Sequence, residues 1–451
     1  MNSDTPSASD LNRRDFIRSG SFATLVSMLG AVELRAAEAP AAAKKADGPK
    51  VRVGVIGLGA WGREILSMLQ RIPMAEVAAV CDTYGVMLRR AATNAPGASA
   101  ADDYRKMLED KTVQAVFIAT PTHQHKDIVI EALQAGKHVY CEAPLAHTVE
   151  DARAIAKAAR DSGAQVFQAG LHLRADPQRH FLLQFIRTGA TGKDVMARAQ
   201  WHKKQSWRST SANPDREREI NWRLSKDVSL GLAGEIGIHQ FDSMCWLFNR
   251  MPTAVTGFGS IIRWNDGREV ADTVQAVLEF PGGVQGIYDA TLANSFDGEY
   301  DLLLGSDAAV MMRGNKAWLF KEVDSPLLGW EVYARKDVFY KETGIALVAN
   351  ASKSTGTEES AEAAAMNTAL IASLESFLSN VNEVIGAVED FAATFDVADK
   401  KALAQHVAGL KMLPAAGWRE GLAATVLAIK TNEAIAGGKR VALSKEMFEL
   451  A

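Results

Sequence analysis

The pattern of apolar and polar positions changes near residue 170. Upstream of it, short apolar runs such as Val51–Ile56, Glu76–Cys81 and Val113–Ala119 alternate with stretches whose apolar residues recur at helical spacing. Apolar runs of about four to eight residues between such stretches indicate buried strands joined by helices. We therefore predict a doubly wound parallel sheet, with α/β alternation, over residues 51–170.

Downstream of residue 170 the elements follow a different order. They are helix Pro177–Arg187, strand Val195–His202, a polar and Arg-rich loop Lys203–Ser229, and helix Leu232–Phe248. Strands separated by hairpin-like Gly and Asp breaks then run from Ala254 to Phe320. This succession predicts a C-terminal α+β domain over residues 171–451, with an open, mostly antiparallel sheet and a helical segment at 358–436.

The first predicted strand leads into a glycine-rich turn, Gly57-Leu58-Gly59-Ala60-Trp61-Gly62. The G-x-G-x-x-G spacing allows a tight turn, close approach of a pyrophosphate, and close packing of the following helix. An acid, Asp82, ends the second strand about 20 residues further on, where it would accept ribose hydroxyls and repel a 2′-phosphate. We predict a Rossmann domain that binds NAD through the residues Gly57, Gly59, Ala60, Trp61, Gly62 and Asp82.

Amino-acid composition and net charge limit the kinds of molecule that the protein can bind. The chain has 451 residues, 47% of them hydrophobic, and a net charge of −4, so nucleic acid is an unsuitable partner. No stretch approaches the ~20 apolar residues of a membrane span, and we predict no stable membrane anchor. The three cysteines lie in apolar or helical segments without C-x-x-C spacing and are predicted to be buried free thiols.

The N-terminal segment resembles a twin-arginine export signal: Arg13-Arg14 precede Phe16, an apolar stretch and Ala-rich sequence. We predict a signal peptide over residues 1–42, cleaved after Ala39 or after Ala41, and a linker over 43–50. The alternative is a disordered basic leader. Export by the twin-arginine machinery predicts a periplasmic or secreted protein. Because no nicotinamide pool surrounds such a protein, its NAD would be tightly held and recycled internally.

A predicted helix carries Glu235, His239 and Asp242 at spacings that place them on one face. An imidazole positioned by a carboxylate is a suitable general base for a sugar hydroxyl. We predict His239 as the proton-transfer group and Glu235 as the group that orients it. These three side chains could also ligate a metal, but no further cluster supports that alternative, and we predict no metal site.

Four residues are predicted on the substrate side: Arg223, Trp222, His172 and Asp242. A sugar offers an apolar ring face to Trp222 and hydroxyls to the guanidinium of Arg223. The alternatives are that Trp222 belongs to the core and that Arg223 is one more charge in a polar loop.

Several segments together resemble the Gfo/Idh/MocA oxidoreductase family. They are the glycine turn, Ala119-Thr120-Pro121, Gly136-Lys137-His138-Val139 with Cys141-Glu142, and Gly237-Ile238-His239-Gln240-Phe241-Asp242. The resemblance implies an active site between the two domains and a homo-oligomer. It further implies that Thr120, Pro121 and His125 contact the nicotinamide ribose and that Glu142 lies beneath the nicotinamide. His123 is expected to face solvent.

Within the family, Gln200-Trp201-His202, Ile220-Asn221-Trp222-Arg223 and the Glu235–Asp242 segment resemble the NAD-dependent glycosidase branch typified by α-N-acetylgalactosaminidase. One position departs from the family, whose Glu-Lys-Pro motif reads Glu142-Ala143-Pro144 here. Alanine has no proton to transfer. Three alternatives follow: an exported oxidoreductase acting on a sugar or glycoside, a redox-neutral glycoside-cleaving enzyme, and a sensor that binds NAD and sugar without catalysis.

Overall fold

The computed structural model describes residues 48–314, 316–329, 336–339, 342–347 and 361–450, with side chains for 48–314, 316–329 and 368–450. The predicted signal peptide, its two cleavage sites and most of the linker lie outside the described residues. Within the described part, no helix is long and apolar enough to cross a membrane.

The first domain is built on six parallel strands in the order β3-β2-β1-β4-β5-β6. The strands are β1 Val51–Ile56, β2 Ala75–Cys81, β3 Ser99–Ala101, β4 Ala115–Ile118, β5 His138–Cys141 and β6 Phe167–Ala169. The helices between them are α1 Ala60–Leu69, α2 Gly85–Asn94, α3 Tyr104–Glu109, α4 His125–Gln134 and α5 Val149–Asp161. The predicted parallel Rossmann sheet is confirmed, and its strand order reverses between β1 and β4, where such sheets bind ligands.

The second domain contains a sheet of ten strands that runs from β14 at one edge to β16 at the other. Its strands are β7 Asp194–His202, β8 Ala254–Ser260, β9 Thr273–Glu279, β10 Gln285–Thr291, β11 Glu299–Gly305, β12 Ala308–Arg313, β13 Lys316–Lys321, β14 Lys336–Phe339, β15 Glu342–Leu347 and β16 Arg440–Ala442. All described pairs are antiparallel except β7 with β10. The predicted open and mostly antiparallel sheet is confirmed.

The remaining helices are α6 Pro177–Phe185, α7 Pro214–Ile220, α8 Gly231–Glu235, α9 Gly237–Phe248, α10 Ala361–Thr394, α11 Lys400–Ala408 and α12 Trp418–Gly437. Helix α10 belongs to the core of the first domain, although it follows the second sheet in sequence. Its residues Leu370, Leu374 and Phe377 are fully buried in one cluster with Val51 and Phe117 of the parallel sheet. This helix therefore packs on the first sheet.

Two predicted elements need correction. The loop Lys203–Ser229 contains helix α7, which begins where the side chain of Asn213 accepts hydrogen bonds from two backbone N–H groups. The single helix predicted over 232–248 is interrupted at Ile236. A Cβ atom at Gly237 would lie 2.9 Å from the ring of Tyr288, whose hydroxyl donates to the carbonyl of Leu232. The ring of Tyr288 therefore packs against the chain at the point where the helix is interrupted.

Candidate functional site

The glycine turn leaves an open space at the N-terminus of α1. Gly57 has φ +90°, and a Cβ there would lie 2.7 Å from the carbonyl oxygen of Ala119. A Cβ on Gly62 would overlap the carbonyl oxygen of Gly57, so only glycine permits this close packing of helix on strand. By contrast, a Cβ on Gly59 would meet nothing within 4 Å. The space above Gly59, next to Ala60 and the free N–H groups of the helix, suits a pyrophosphate.

Asp82 connects this turn to the end of β2. Its carboxylate accepts hydrogen bonds from the backbone N–H groups of Leu58 and Tyr84, each at 2.8 Å. Each carboxylate oxygen has a second lone pair, so both oxygens retain acceptor capacity for ribose hydroxyls. The position at the carboxyl end of β2 is the one that the sequence prediction requires.

Unpartnered polar atoms collect at the carboxyl ends of the neighbouring strands. Among the described residues, no hydrogen-bond partner exists for the buried Oγ1 of Thr120, Oε1 of Glu142 or Nε2 of His172. The last two atoms are 3.6 Å apart. Buried polar groups are normally paired, and a polar ligand at this edge would supply the partners that these atoms lack. Together with Pro121 after β4, they fit the nicotinamide and ribose half of a dinucleotide.

The prediction that His125 contacts the ribose needs correction. Its ring is 1% exposed, and both ring nitrogens lie within hydrogen-bond distance of backbone carbonyls, those of Pro144 (3.0 Å) and Thr120 (2.9 Å). His125 therefore holds together the segments that follow β4 and β5. The neighbouring His123 was expected in solvent, but its ring is half-buried and its Nδ1 has no partner among the described side chains. It lies edge-on to Trp222, with centroids 5.9 Å apart.

Three aromatic rings stack where the two domains meet. The ring of His172, after β6, lies 5.6 Å from Trp61 of the glycine turn and 5.3 Å from His239 of α9, at an interplanar angle of 26° to the latter. Burial, reinforced by neighbouring His172, lowers the pKa of His239 to about 3. His239 is therefore neutral near pH 7, with a ring-nitrogen lone pair available as a proton acceptor.

Glu235 does not bind His239, which corrects its predicted role. Its Oε2 accepts from Nε of Arg223 at 3.0 Å, and its Oε1 accepts from the hydroxyl of Thr122 at 3.4 Å. The break at Ile236 separates Glu235 from the helix that carries His239. Burial raises the pKa of Glu235, and the charge and hydrogen bond of Arg223 oppose that rise. The carboxylate instead links Arg223 to the turn after β4.

The predicted substrate residues Trp222 and Arg223 do reach the cleft. The guanidinium of Arg223 lies 4.5 Å from the centre of the Trp222 ring, and its side chain is 45% exposed. Its Nε is held by Glu235, and the guanidinium has further N–H donors on its outer nitrogens. Both residues therefore join His123 and Glu235 in one cluster.

Asp242 is a structural residue, contrary to its predicted contact with substrate. Both carboxylate oxygens accept hydrogen bonds from Arg174 at 2.8 Å, in a forked ion pair whose side chains are 19% and 6% exposed. Arg174 also lies over the ring of Trp246. Sequence spacing missed Arg174, since a partner 68 residues away leaves no local pattern.

We expect Asp242→Ala to lower the free energy of unfolding by about 3–5 kcal/mol, because it leaves the buried guanidinium of Arg174 unpaired. Urea titration measures this change. The control is Asp215→Ala, which removes an exposed pair with Arg218 and should change stability by about 0–1 kcal/mol. A stable Asp242→Ala protein with a greatly raised KM for substrate would restore the substrate-binding assignment.

Lys137 is the lysine nearest in sequence to Ala143, but it does not replace the lysine that the family carries at that position. The ammonium of Lys137 donates to the carbonyls of Asp110 and Val113, which precede β4 at the opposite end of the strand. Across the described residues, no group of three or more His, Cys, Asp or Glu side chains is arranged to hold a metal ion. Cys81, Cys141 and Cys245 are buried free thiols.

Comparison with known families gives two matches. A family model described as the oxidoreductase family with an NAD-binding Rossmann fold matches residues 51–170, and one described as the GFO/IDH/MocA C-terminal domain matches 181–311. The first match confirms the prediction of NAD as cofactor. The residues above the glycine turn and at the ends of β4 to β6 are those available to hold it.

Similar curated proteins include a levoglucosan dehydrogenase of Pseudarthrobacter phenanthrenivorans, 28% identical over 43% of this chain and 53% of that protein. An inositol 2-dehydrogenase of Rubrobacter xylanophilus is 34% identical over 35% of this chain and 46% of that protein. The chain thus spans about half the length of these relatives.

Solved structures share the fold. A levoglucosan dehydrogenase in complex with NADH and levoglucosan has a TM-score of 0.65 and 18% identity, covering 88% of this chain and 100% of that one. A putative myo-inositol dehydrogenase from Sinorhizobium meliloti has a TM-score of 0.60 and 20% identity over the same shares of the two chains. At these identities the likeness supports the two-domain architecture alone.

Proposed function

Because the chain belongs to the Gfo/Idh/MocA family of NAD-binding oxidoreductases, we propose that it transfers a hydride between NAD and a hydroxyl-bearing carbon of a sugar or glycoside. The observation that carries the proposal is the stack of Trp61, His172 and His239 beside the unpartnered oxygen of Glu142. Similar proteins named for levoglucosan and inositol support a cyclic, polyhydroxylated substrate.

Oxidation of a carbinol carbon releases a hydride and a proton. NAD, when bound, supplies the hydride acceptor, and a side chain of this protein must take the proton. His239 is neutral in the cleft and has no lysine competing at position 143, so we assign the proton transfer to it. The carboxylate of Glu142 lies 3.6 Å from Nε2 of His172, whose ring stacks on that of His239.

The cluster at the cleft mouth supports a sugar as the substrate. The indole of Trp222 provides an apolar surface for a pyranose face, and the outer nitrogens of Arg223 are donors for its hydroxyls. Glu235 fixes the orientation of Arg223 and is itself 5% exposed, so it positions the guanidinium without reaching into solvent. Substrate recognition would thus come from the segment around residues 222–235 of the second domain.

The proposal is tested on purified protein with no cofactor added. A denatured aliquot is assayed for released NAD, and intact protein is mixed with levoglucosan, inositol, free monosaccharides and nitrophenyl glycosides. The sugars are then tested again in a second assay with excess NAD, where net formation of NADH with one of them supports the oxidoreductase. Release of nitrophenol without net NADH favours the redox-neutral, glycoside-cleaving alternative, in which the hydride returns to the substrate.

Ala143 motivates the third alternative, a sensor that binds without turnover. Bound NAD combined with no response to any sugar would favour it and would contradict the enzymatic proposal. The Ala143→Lys variant serves as a comparison, because it restores the family motif next to Glu142. Turnover by the native protein that matches or exceeds that of the variant would show that the site works without the lysine.

We also propose export by the twin-arginine machinery and internal recycling of a retained cofactor. The proposal is supported by Arg13-Arg14 and the apolar stretch that follows. Mass spectrometry of the protein recovered from the periplasm should show an N-terminus that begins after Ala39 or after Ala41. An intact N-terminus found only in the cytosol would contradict export. Light scattering on the same sample measures the oligomeric state and tests the predicted homo-oligomer.

A further inference from the structure

Residues 203–229, which we call the strap, extend from the second domain to the first. They follow β7 and precede α8, and they touch the first domain at two described places. Trp222 lies edge-on to His123, and the guanidinium carbon of Arg216 lies 4.5 Å from the centre of the Tyr84 ring. The strap therefore crosses the cleft at two separate strand ends.

These two contacts mark the two ends of the cofactor site. Tyr84 comes two residues after Asp82, at the end of β2, where the ribose of the adenosine half is expected. His123 comes after β4, three residues beyond Thr120, whose Oγ1 lacks a partner among the described residues and is expected to contact the nicotinamide ribose. Because β1 lies between β2 and β4, the strap runs alongside the space above Gly59, from one half of the dinucleotide to the other.

The strap is held in place by its own bonds. The amide of Asn221 donates to the carbonyls of Ser209 and Glu217 and accepts from the N–H of Ser209. Arg208 pairs with Glu217 and donates to the carbonyl of Asp266 in the second domain. These contacts involve no residue of the first domain, so the strap is preorganised and Arg216 is presented to Tyr84 on a fixed support.

Arg216 differs from the other arginine on helix α7. Its side chain is 17% exposed, one outer nitrogen pairs with Glu219, and its buried Nε has no partner among the described residues. Arg218 is 83% exposed and lies 3.9 Å from Asp215. A buried guanidinium N–H without an acceptor is costly, and here it lies against an aromatic ring beside Asp82.

We propose that Arg216 and Tyr84 bind the adenosine half of the dinucleotide and slow its release. The planar guanidinium and the phenol ring offer stacking surfaces to adenine. This inference rests on the binding of NAD and does not depend on which sugar, if any, is oxidised.

Stopped-flow displacement of NADH from the full chain by excess NAD tests the proposal without any sugar. Arg216→Ala should raise the NADH dissociation rate about two- to thirtyfold, the range that a cation–π contact supplies. Arg218→Ala, on the same helix, should leave the rate unchanged. An Arg216→Ala rate equal to that of wild type, or an equal rise in both variants, would overturn the proposal.

Variants at Tyr84 show whether the pair acts as a unit. Tyr84→Ala should match Arg216→Ala, the double variant should be no faster than either single one, and Tyr84→Phe should resemble wild type. Fully additive effects would contradict a joint contact.

Fragments locate the effect along the dinucleotide. Affinity for ADP-ribose should fall in Arg216→Ala, whereas affinity for nicotinamide mononucleotide should not. Weakening confined to NADPH would instead assign Arg216 to a 2′-phosphate and overturn the proposal. If the NADH dissociation rates change as expected in these variants but the protein turns over no sugar, this inference stands and the proposed function fails.

Discussion

His239→Ala is expected to lower kcat for sugar oxidation by about 10²–10⁴-fold, the usual contribution of a general base, while NAD remains bound. The ring of His239 stacks on that of His172 in the cleft, and Lys137, the lysine nearest Ala143 in sequence, is held at the opposite end of β4. Steady-state kinetics and the NAD content of the same preparation measure the two effects.

The matched control is His406→Ala, which removes an exposed histidine of α11 that contacts only Phe391 among the described aromatic rings. Its kinetics should equal those of wild type. Full activity in His239→Ala would refute the assignment. Loss of NAD together with activity would instead make His239 a residue of cofactor binding.

The pH dependence follows from the same environment. Since burial lowers the pKa of His239 to about 3, its imidazole is already neutral throughout the range from about pH 5 to pH 8. A group whose pKa in the folded protein is depressed becomes protonated only as the pH falls through that lowered value. Protonation of His239 should therefore produce no acid limb near pH 6.5 in kcat/KM.

The second large effect is expected on NADH affinity, from a substitution in the glycine turn. Gly59→Ala should fold normally and raise the Kd for NADH at least about tenfold, because its Cβ enters the space that suits the pyrophosphate and touches no protein atom. Isothermal titration with NADH measures the affinity, and a thermal melt without nucleotide checks the fold.

Substitutions of two other glycines serve as comparisons for this prediction. Gly62→Ala should also lower the stability of the free protein by about 1–3 kcal/mol, because its Cβ overlaps the carbonyl of Gly57. Gly97→Ala, at an exposed turn where a Cβ meets nothing within 4 Å, should change neither property. Wild-type affinity in Gly59→Ala would mean that the dinucleotide does not cross the turn at this point.

The sequence was most informative where the physical constraint is local. Val51–Ile56 is a continuous apolar run, and the spacing of the glycines after it is dictated by backbone clearance alone. Helix α7 was also readable, since Asn213-Pro214 is a typical helix start, with a side-chain cap followed by proline at the first helical position. The prediction of a loop there overlooked that signal.

Local periodicity failed in the second domain's helix. It placed Glu235, His239 and Asp242 on one face, but the break at Ile236 sends Glu235 to Arg223. Asp242 is taken by Arg174, which lies far from it in sequence. A carboxylate pairs with the nearest suitable donor in space, and sequence spacing does not identify that donor.

By itself, the sequence determined the parallel sheet, the glycine turn, Asp82 at the end of β2, and NAD as the cofactor. It also predicted His239, Trp222 and Arg223 as site residues, and the structure places them at the cleft. The tertiary structure alone decided that His125 is a buried link between two loops and that Arg216 lies over Tyr84. The reason is physical: strands, turns and helix caps depend on neighbours within a few residues, whereas burial and pairing depend on chain segments that meet only after folding.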